Sequence, residues 1–219
     1  MKRLSFLLLA LTVIFSHTVL ASEKNYVYRE TTGKTSINSE WTIKPSAEGY
    51  SVVAESVSEY HHVLCNQDHS TVSWEVRNPG SGMDLAVRRD ENLLVVEGKF
   101  KGKEIKEELK IDDLPWYQFV EVSLSDFVRS EQEKTEFWII QPNNLKHYKL
   151  VAIKQKTENI TINDQEVEAV QVKVTVSGIA SLFWSTQYWY RKSDGLYIRF
   201  EGVRGGPGTP KTIVELISE

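Results

Sequence analysis

The densest group of reactive side chains in the sequence consists of His61, His62, Cys65, Asp68 and His69. Imidazole nitrogens and thiolates are ligands that zinc and copper prefer in proteins. The flanking residues indicate a β-strand, on which His61 and Cys65 would share a face about 13 Å apart, at ~3.3 Å per residue. One metal ion could therefore bind the three histidines and Cys65 only if the chain folded back just after the cysteine. A hairpin with exposed histidines and a buried cysteine is the alternative interpretation.

Two adjacent carboxylate pairs, Glu107-Glu108 and Asp112-Asp113, are candidates for acid–base chemistry. Glycosidases use two carboxylates that face each other across a sugar, and the six tryptophans and nine tyrosines of the chain could supply stacking surfaces. However, Glu107 and Glu108 would point to opposite faces of a strand, and Asp112-Asp113 fits the start of a helix. A hydrolase that acts on cell-wall or polysaccharide material is therefore kept as an alternative function.

Neither nucleophilic catalysis nor phosphate binding is supported by a sequence motif. The chain has no G-x-S-x-G motif, so Cys65 beside a histidine is the best candidate nucleophile. The glycine-rich stretch 202–208 lacks the Lys-Ser/Thr pair of a phosphate-binding loop, and Pro207 removes a backbone donor. We interpret this stretch as a connection between strands, and we expect no cofactor.

Alternation of apolar and polar residues, with turn residues between short segments, dominates the rest of the chain. It is clearest in the stretches 37–43, 72–76, 83–87 and 165–177. This pattern predicts an all-β fold, in which roughly ten to twelve strands form a single antiparallel meander. We expect the meander to form a barrel or half-barrel as one domain over residues 22–219.

The stretch around Asp194-Gly195 predicts a β-hairpin, because Asp-Gly favours a two-residue type I′ turn. With these two residues in the turn, Tyr190 would face Arg199 and Trp189 would face Phe200. The period of two along a strand then places Trp189 and Phe200 on the core face. It places the tyrosines of the hairpin on the other, amphipathic face.

One segment has helical spacing instead of alternation. Its apolar residues between Trp116 and Phe127 fall near a period of 3.6, and Pro115 suits a first turn, which predicts one short helix at about 116–128. If the barrel is not closed, this helix could act as a lid over a ligand groove. The candidate groove residues are all aromatic: Trp116, Trp184, Tyr188, Tyr190 and Tyr197.

The N-terminus has the features of a secretory signal peptide. Lys2 and Arg3 precede an apolar run, and Val19-Leu20-Ala21 provides a cleavage site before Ser22. We therefore expect residues 1–21 to be removed and the mature chain to be exported, to the periplasm or out of the cell. A lipoprotein would need a cysteine in place of Ser22, so we expect an unacylated protein.

Composition excludes several classes of partner. The chain has 26 basic and 30 acidic side chains, and its formal net charge of −4 becomes more negative when the signal peptide is removed. This balance argues against nucleic-acid binding.

No later apolar stretch reaches the ~20 residues of a membrane span. Cys65 is the only cysteine, so no internal disulfide can form.

The C-terminal half has a characteristic order of features. A long strand at 165–177 is followed by the aromatic strand Tyr188-Trp189-Tyr190, by Ser193-Asp194-Gly195 and by an apolar return strand. This order resembles the DUF3108-like exported β-proteins of bacteria. The resemblance covers residues 70–219, and the part from Trp189 to Phe200 is the most distinctive. It implies an exported β-barrel-like domain of uncharacterised function, and no catalytic residue is carried over.

Together these features predict an exported binding protein without catalytic activity, which holds an apolar or lipid-like ligand or assists envelope assembly. The polysaccharide hydrolase and the metal-binding protein are the alternatives. We expect the partner to be a hydrophobic small molecule or an envelope protein. We expect no nucleic acid and no membrane span in the mature chain.

Overall fold

The computed structural model describes residues 22–178, 184–204 and 209–219, so the predicted signal peptide at 1–21 lies outside the described residues. Within the described residues the chain forms fourteen strands and two short α-helices. In chain order the elements are β1 (Lys24–Thr32), β2 (Thr35–Pro45), β3 (Gly49–Ser56), β4 (Tyr60–Asn66), β5 (Thr71–Asn78), a 3-10 turn (Pro79–Ser81), β6 (Met83–Asp90), β7 (Leu93–Phe100), β8 (Lys103–Lys110), α1 (Val120–Ser123), α2 (Ser125–Arg129), β9 (Lys134–Ile140), β10 (His147–Ile162), β11 (Gln165–Val176), β12 (Ser185–Arg191), β13 (Tyr197–Gly202) and β14 (Thr212–Ser218).

The strands form one antiparallel sheet with the order β8-β7-β6-β5-β4-β3-β2-β1-β14-β13-β12-β11-β10-β9. Strands β1 to β8 pair successively, and so do strands β9 to β14. Pairing of β14 with β1 joins the two meanders, so that β8 and β9 are the edges of the sheet. The sheet curls around one apolar core without closing, which confirms the prediction of an all-β, barrel-like meander.

Alternation of inward and outward side chains is the physical basis of this sheet. In β5, Trp74 and Val76 are buried while Glu75, which lies between them, is exposed. An antiparallel sheet with one apolar face must cover that face, and curling around a core does so. Strand β1 follows the same rule, with Tyr26 and Tyr28 buried, although no strand is predicted there from the sequence.

The segment between β8 and β9 turns into the interior, and we call its residues 115–130 the plug. Its apolar side chains belong to the same core as those of the strands. Its main chain pairs with β9 on one side, where Trp138 N donates to Pro115 O (2.8 Å). On the other side, Thr71 N of β5 donates to Trp116 O (2.7 Å). The plug therefore joins strands of the two meanders.

The helix predicted at 116–128 lies in the right place, but its beginning is corrected to Val120. The residues before Val120 stay extended because the main chain at Trp116 is already bonded to strands on both sides. The helical part divides into α1 and α2 at Leu124, whose ψ of 1° departs from helical values. Among the described residues, no helix is long and apolar enough to cross a membrane.

The hairpin of β12 and β13 differs in register from the prediction. Tyr190 lies opposite Tyr197, where Arg199 is predicted, and a bulge lies beside this pair. Arg191 N donates to Leu196 O (2.7 Å), so the loop is longer than two residues. A shift of one residue exchanges the two faces of a strand. The tyrosines of the hairpin therefore face the core, which corrects the predicted outer position.

The attachment of the plug depends on the buried side chain of Gln118. Its Oε1 accepts hydrogen bonds from Trp116 Nε1 (2.9 Å) and Ile140 N (3.0 Å), and its Nε2 donates to Ile140 O (2.9 Å). Gln118→Leu would leave these buried groups without partners, at a cost of about 1–3 kcal/mol each. We expect the free energy of unfolding, measured by urea denaturation, to fall by ~3 kcal/mol or more.

Gln132→Leu is the matched control, because Gln132 is exposed just beyond the plug. Its free energy of unfolding should stay within about 0.5 kcal/mol of that of the wild type. Similar losses in the two variants would show that the Gln118 hydrogen bonds do not hold the plug.

Candidate functional site

The residues of the predicted metal site do not converge, and metal binding by these residues stays a prediction. His61 faces the interior, whereas His62 lies on the opposite face of β4, where its Nε2 is 3.0 Å from Ser51 Oγ. Neighbours on a strand point to opposite faces, so these two histidines cannot share a ligand site. Cys65 is buried further along β4, and His69 lies in the turn beyond it. Within the described residues, no group of His, Cys, Asp and Glu is placed to hold a metal ion.

His69 has a structural role at the plug. Its Nδ1 lies 3.0 Å from Asp126 Oδ2, and its main-chain oxygen accepts a hydrogen bond from Ser123 Oγ (2.9 Å). Its ring stacks on that of Tyr50 with 4.4 Å between the centroids. These contacts hold α1 and α2 against the turn after β4.

Cys65 is buried, with 4% of its surface exposed, as expected from the sequence. Burial raises the pKa of its thiol to about 12, which outweighs the lowering effect of a hydrogen bond with Thr71. The thiolate is the nucleophilic form of cysteine, and this thiol stays protonated at neutral pH. The arrangement does not favour Cys65 as a catalytic nucleophile.

The predicted carboxylate pairs do not face each other. Glu107 and Glu108 are exposed on the edge strand β8. Asp112 lies well before α1, so it does not start the helix as predicted. Hydrogen bonds from Lys149 Nζ (2.5 Å) and Trp138 Nε1 (2.7 Å) lower the pKa of Asp112 to about 2. Neither pair provides the two facing carboxylates of a glycosidase.

The aromatic residues predicted to line a groove are mostly packed in the core. Trp116, Tyr188, Tyr190 and Tyr197 are buried, and Trp184 is half-buried. Their role in ligand binding stays a prediction.

Two depressions on the described surface lie on the outside of the sheet. One crosses β5 to β8 and is lined mainly by charged side chains, including Glu75, Arg77 and Glu104. The other lies beside the start of β11 and the end of β12, where Glu168 and Arg191 line it. Their polar linings do not suit an apolar ligand.

A different group of residues comes together at the end of the barrel where β1 and β13 finish and β4 begins. We call Glu30, Glu59, His61, Glu121 and Arg204 the mouth cluster. Glu30 belongs to β1, Glu59 directly precedes β4, and His61 belongs to β4. Glu121 belongs to α1 of the plug, and Arg204 follows β13. The two meanders and the plug thus contribute to one site.

Arg204 is the centre of the mouth cluster. Its Nη1 lies 2.7 Å from Glu30 Oε2, and its Nη2 lies 4.0 Å from Glu121 Oε1. Its guanidinium carbon is 4.9 Å from the centre of the Phe200 ring. The side chain of Arg204 is 45% exposed, whereas that of Glu121 is 15% exposed. A cation therefore lies at the rim between two carboxylates and over an aromatic face.

The acids of the mouth cluster have different environments. Burial raises the pKa of Glu121, and the positive charge of Arg204 opposes this rise. A hydrogen bond with His61 lowers the pKa of Glu59, although partial burial acts in the other direction. Desolvation lowers the pKa of Arg204, but the carboxylates of Glu30 and Glu121 outweigh it, so the net shift is upward.

The ring of His61 lies between the core and the mouth cluster. Its Nδ1 lies 3.2 Å from Trp74 Nε1, and this indole nitrogen can only donate. Its Nε2 lies 3.3 Å from Glu59 Oε2. These two contacts fix the orientation of the ring.

One buried hydroxyl group, that of Tyr197, has no hydrogen-bond partner within the described part of the chain. The residue is only 2% exposed. The neighbouring Tyr190 differs, because its hydroxyl donates to Val120 O (3.0 Å). Burial raises the pKa of Tyr197, and the charge of Glu121 adds to the rise, which indicates that the phenol faces the mouth cluster. Buried hydroxyls normally have partners, so the Tyr197 hydroxyl is a candidate for ligand contact.

Gly202 permits close packing directly below the mouth cluster. A Cβ atom at this position would lie 2.4 Å from Thr186 Cγ2 and 2.8 Å from Phe200 Cζ. The first glycine of the stretch interpreted as a simple connection therefore has a packing role at the site.

Glu30, Glu121 and Arg204 are not recognisable as a group in the sequence, because they are far apart in the chain. Only Glu121 leaves a local signal. It is a charged residue between Val120 and Val122, which are both buried in α1. A charge within an apolar stretch of the plug marks a position where a carboxylate enters the interior.

Comparisons with known proteins concern the fold and not the activity. No protein-family model matches the chain, and no curated protein matches it. The chain is similar to the crystal structure of a β-barrel-like protein of Domain of Unknown Function DUF1849 from Brucella abortus. The TM-score is 0.61 at 10% identity, over 91% of this chain and 97% of that chain. The hypothetical lipoprotein YmcC from Escherichia coli K12 matches with a TM-score of 0.39 at 11% identity, over 89% of this chain and 84% of that chain.

The chain thus has the fold of a bacterial β-barrel-like protein of unknown function. The resemblance to the DUF3108-like proteins is supported at this coarser level, and membership of that family stays a prediction.

Cys65 should react with a thiol reagent only after unfolding, because it is buried and its thiol stays protonated. At mildly alkaline pH, we expect a chromogenic disulfide reagent to label the native protein roughly 100-fold more slowly than the protein in concentrated guanidinium chloride. Rapid and complete labelling of the native protein would contradict the burial of this thiol.

Glu121 should make the protein less stable as the pH rises. The pKa of Glu121 in the folded protein lies above its ordinary value of 4.5, so its protonated form favours folding. That contribution is fully present below pH 4.5 and is lost as the pH rises through the folded-state pKa. Glu121→Gln removes the titration. Urea denaturation at several pH values should show a variant that is less pH-dependent than the wild type and more stable at neutral pH.

Glu131→Gln is the control for this measurement, since Glu131 is exposed at the end of the plug region. It should leave the pH dependence of the free energy of unfolding unchanged. If Glu121→Gln retained the full pH dependence of the wild type, the burial of this carboxyl group would be disproved.

Proposed function

We propose that this protein is an exported, non-catalytic binding protein of the bacterial cell envelope, and that it holds a lipid-like, amphipathic ligand at the mouth cluster. The observation that carries the proposal is the buried hydroxyl of Tyr197, which has no partner among the described residues and lies beneath the partly exposed Arg204. A polar headgroup could satisfy this hydroxyl. The predicted signal peptide supports export, and the fold is similar to that of a bacterial β-barrel-like protein.

An aromatic wall lies next to these polar groups. Tyr188 meets Phe200 edge-on with 5.0 Å between the ring centroids. The ring centroid of Trp41 lies 5.9 Å from that of Tyr197 and 4.9 Å from that of Phe119. Ring surfaces of this kind bind hydrocarbon, while a charged rim binds a headgroup. The combination favours an amphipathic molecule over a fully polar one.

The plug limits how far such a ligand can enter. The hydroxyl of Tyr190 donates to Val120 O (3.0 Å), and Ser125 Oγ donates to Gly195 O (2.9 Å). These bonds attach α1 and α2 to the aromatic hairpin. A long acyl chain would have to break them to reach the core. We therefore expect the headgroup and a short apolar part to bind at the rim while the plug stays in place.

One observation favours the alternative of a polysaccharide hydrolase. Glu30 and Glu121 contact the same guanidinium group, and the raised pKa of Glu121 is what a general acid requires. However, Arg204 lies between the two carboxylates, where a glycosidase would bind its sugar. A hydrolase would lose turnover in Glu121→Gln, whereas a binding protein has no turnover to lose.

Native mass spectrometry of the mature protein, purified from the exported fraction of its own host, tests the proposal. We expect an added mass on the order of a few hundred daltons, as for a small-molecule ligand, that is lost on extraction with organic solvent. A clean apo mass, together with crosslinks to another envelope protein, would contradict ligand binding and favour a role in envelope assembly.

A variant of this hydroxyl group connects the added mass to the site. Tyr197→Phe removes an unpaired hydroxyl without a large change of shape, so stability should be kept while ligand occupancy falls. Ser123→Ala is the control outside the mouth cluster. It removes a paired, buried hydroxyl, so it should cost about 1 kcal/mol of stability and leave ligand occupancy unchanged.

A further inference from the structure

The charges of the mouth cluster require a cation at the position of Arg204. Glu30 and Glu121 both contact its guanidinium group. Without the guanidinium, two carboxylates would remain together beside an aromatic wall, which is unfavourable for partly buried charges. A molecule that replaces Arg204 must therefore bring its own positive charge.

Arg204 is the member of the cluster that can leave most easily. It lies beyond the last residue of β13, and its closest ion pair, with Glu30, is partly exposed to solvent. Ion pairs that solvent can reach contribute little to stability. Glu121, in contrast, belongs to the plug, and Phe200 is buried within β13. The guanidinium group can move out while the carboxylate and the ring stay where they are.

The groups that would remain form a receptor for an ammonium ion. The ring face of Phe200 attracts a cation, and the carboxylates of Glu30 and Glu121 supply opposite charge. The hydroxyl of Tyr197, which has no partner among the described residues, can accept a hydrogen bond from an N–H group. An anionic headgroup would be repelled by these carboxylates and would bring no positive charge to offset the repulsion.

We propose that the ligand of the mouth cluster carries a positively charged amine on an apolar group, and that Arg204 occupies the amine position until this ligand binds. The inference rests on the proposed function of the mouth cluster as a binding site, and it adds the charge of the ligand. A free alkylamine and a lipid with an amine headgroup share this chemistry.

Isothermal titration with three probes of equal chain length tests the charge. Octylammonium, octanoate and octanol differ only in the headgroup, and we expect octylammonium to bind at least about tenfold more tightly than the other two. Short-chain phosphatidylethanolamine, compared with octylammonium, separates the two sources. Tighter binding of the phospholipid assigns a lipid headgroup, and tighter binding of octylammonium assigns a free amine.

Variants test the role of Arg204. Arg204→Ala removes the internal competitor and should strengthen octylammonium binding by about tenfold. Glu30→Gln and Glu121→Gln should each weaken it by about tenfold, because they remove charge that faces the amine. Arg88→Ala is the matched control, since Arg88 forms an exposed pair with Asp90 outside the site (3.1 Å), and it should not change the affinity.

The outcomes separate this inference from the proposed function. The inference of a positively charged ligand is disproved if octanoate or octanol binds as tightly as octylammonium, or if folded Arg204→Ala binds octylammonium more weakly. The mouth cluster would then still be a binding site, but for a ligand with a different headgroup. If no probe binds to the wild type or to folded Arg204→Ala, both proposals fail. Should Arg204→Ala not fold, the probe series on the wild type and Glu30→Gln decides the question.

Discussion

The main-chain hydrogen bonds of the plug are the constraint on which the rest of the structure depends. An antiparallel sheet with two free edges leaves its inner face open unless something fills the interior. Pro115 and Trp116 bond to β9 and β5, which belong to different meanders, and Gln118 adds buried side-chain bonds to β9. The barrel can therefore stay unclosed and still have a dry, apolar core.

The same bonds determine the chemistry of the mouth cluster. Because the main chain at Trp116 bridges to β9, the first helical turn starts only at Val120 and carries Glu121 into the interior near the tyrosines. A carboxylate in that position has its charge opposed by burial and supported by Arg204. The plug, which fills the interior, thus also contributes the least solvated acid of the candidate site.

The free edge of the sheet has a different character from the mouth. Strand β8 carries lysine and glutamate at most of its positions, and most of these side chains are exposed. Charged edge strands resist pairing with the edges of other sheets, since desolvating the charges is unfavourable. The mouth cluster instead combines partly buried charge, ring faces and the Tyr197 hydroxyl, which has no partner in the described part of the chain. Ligand recognition is therefore better placed at the end of the barrel than at its edge.

The local pattern of the sequence determined the fold class, the position of the helical segment and the burial of Cys65, because alternation, turn residues and residue type act over a few neighbours. Tertiary structure alone decided the register of the aromatic hairpin, where a longer loop and a bulge turn Tyr197 toward the core. It also decided the site. Arg204 meets Glu30 across a separation of 174 residues, and strand geometry sends His61 and His62 to opposite faces. Contacts between such distant residues depend on how the whole sheet curls, and short-range periodicity contains no information about that.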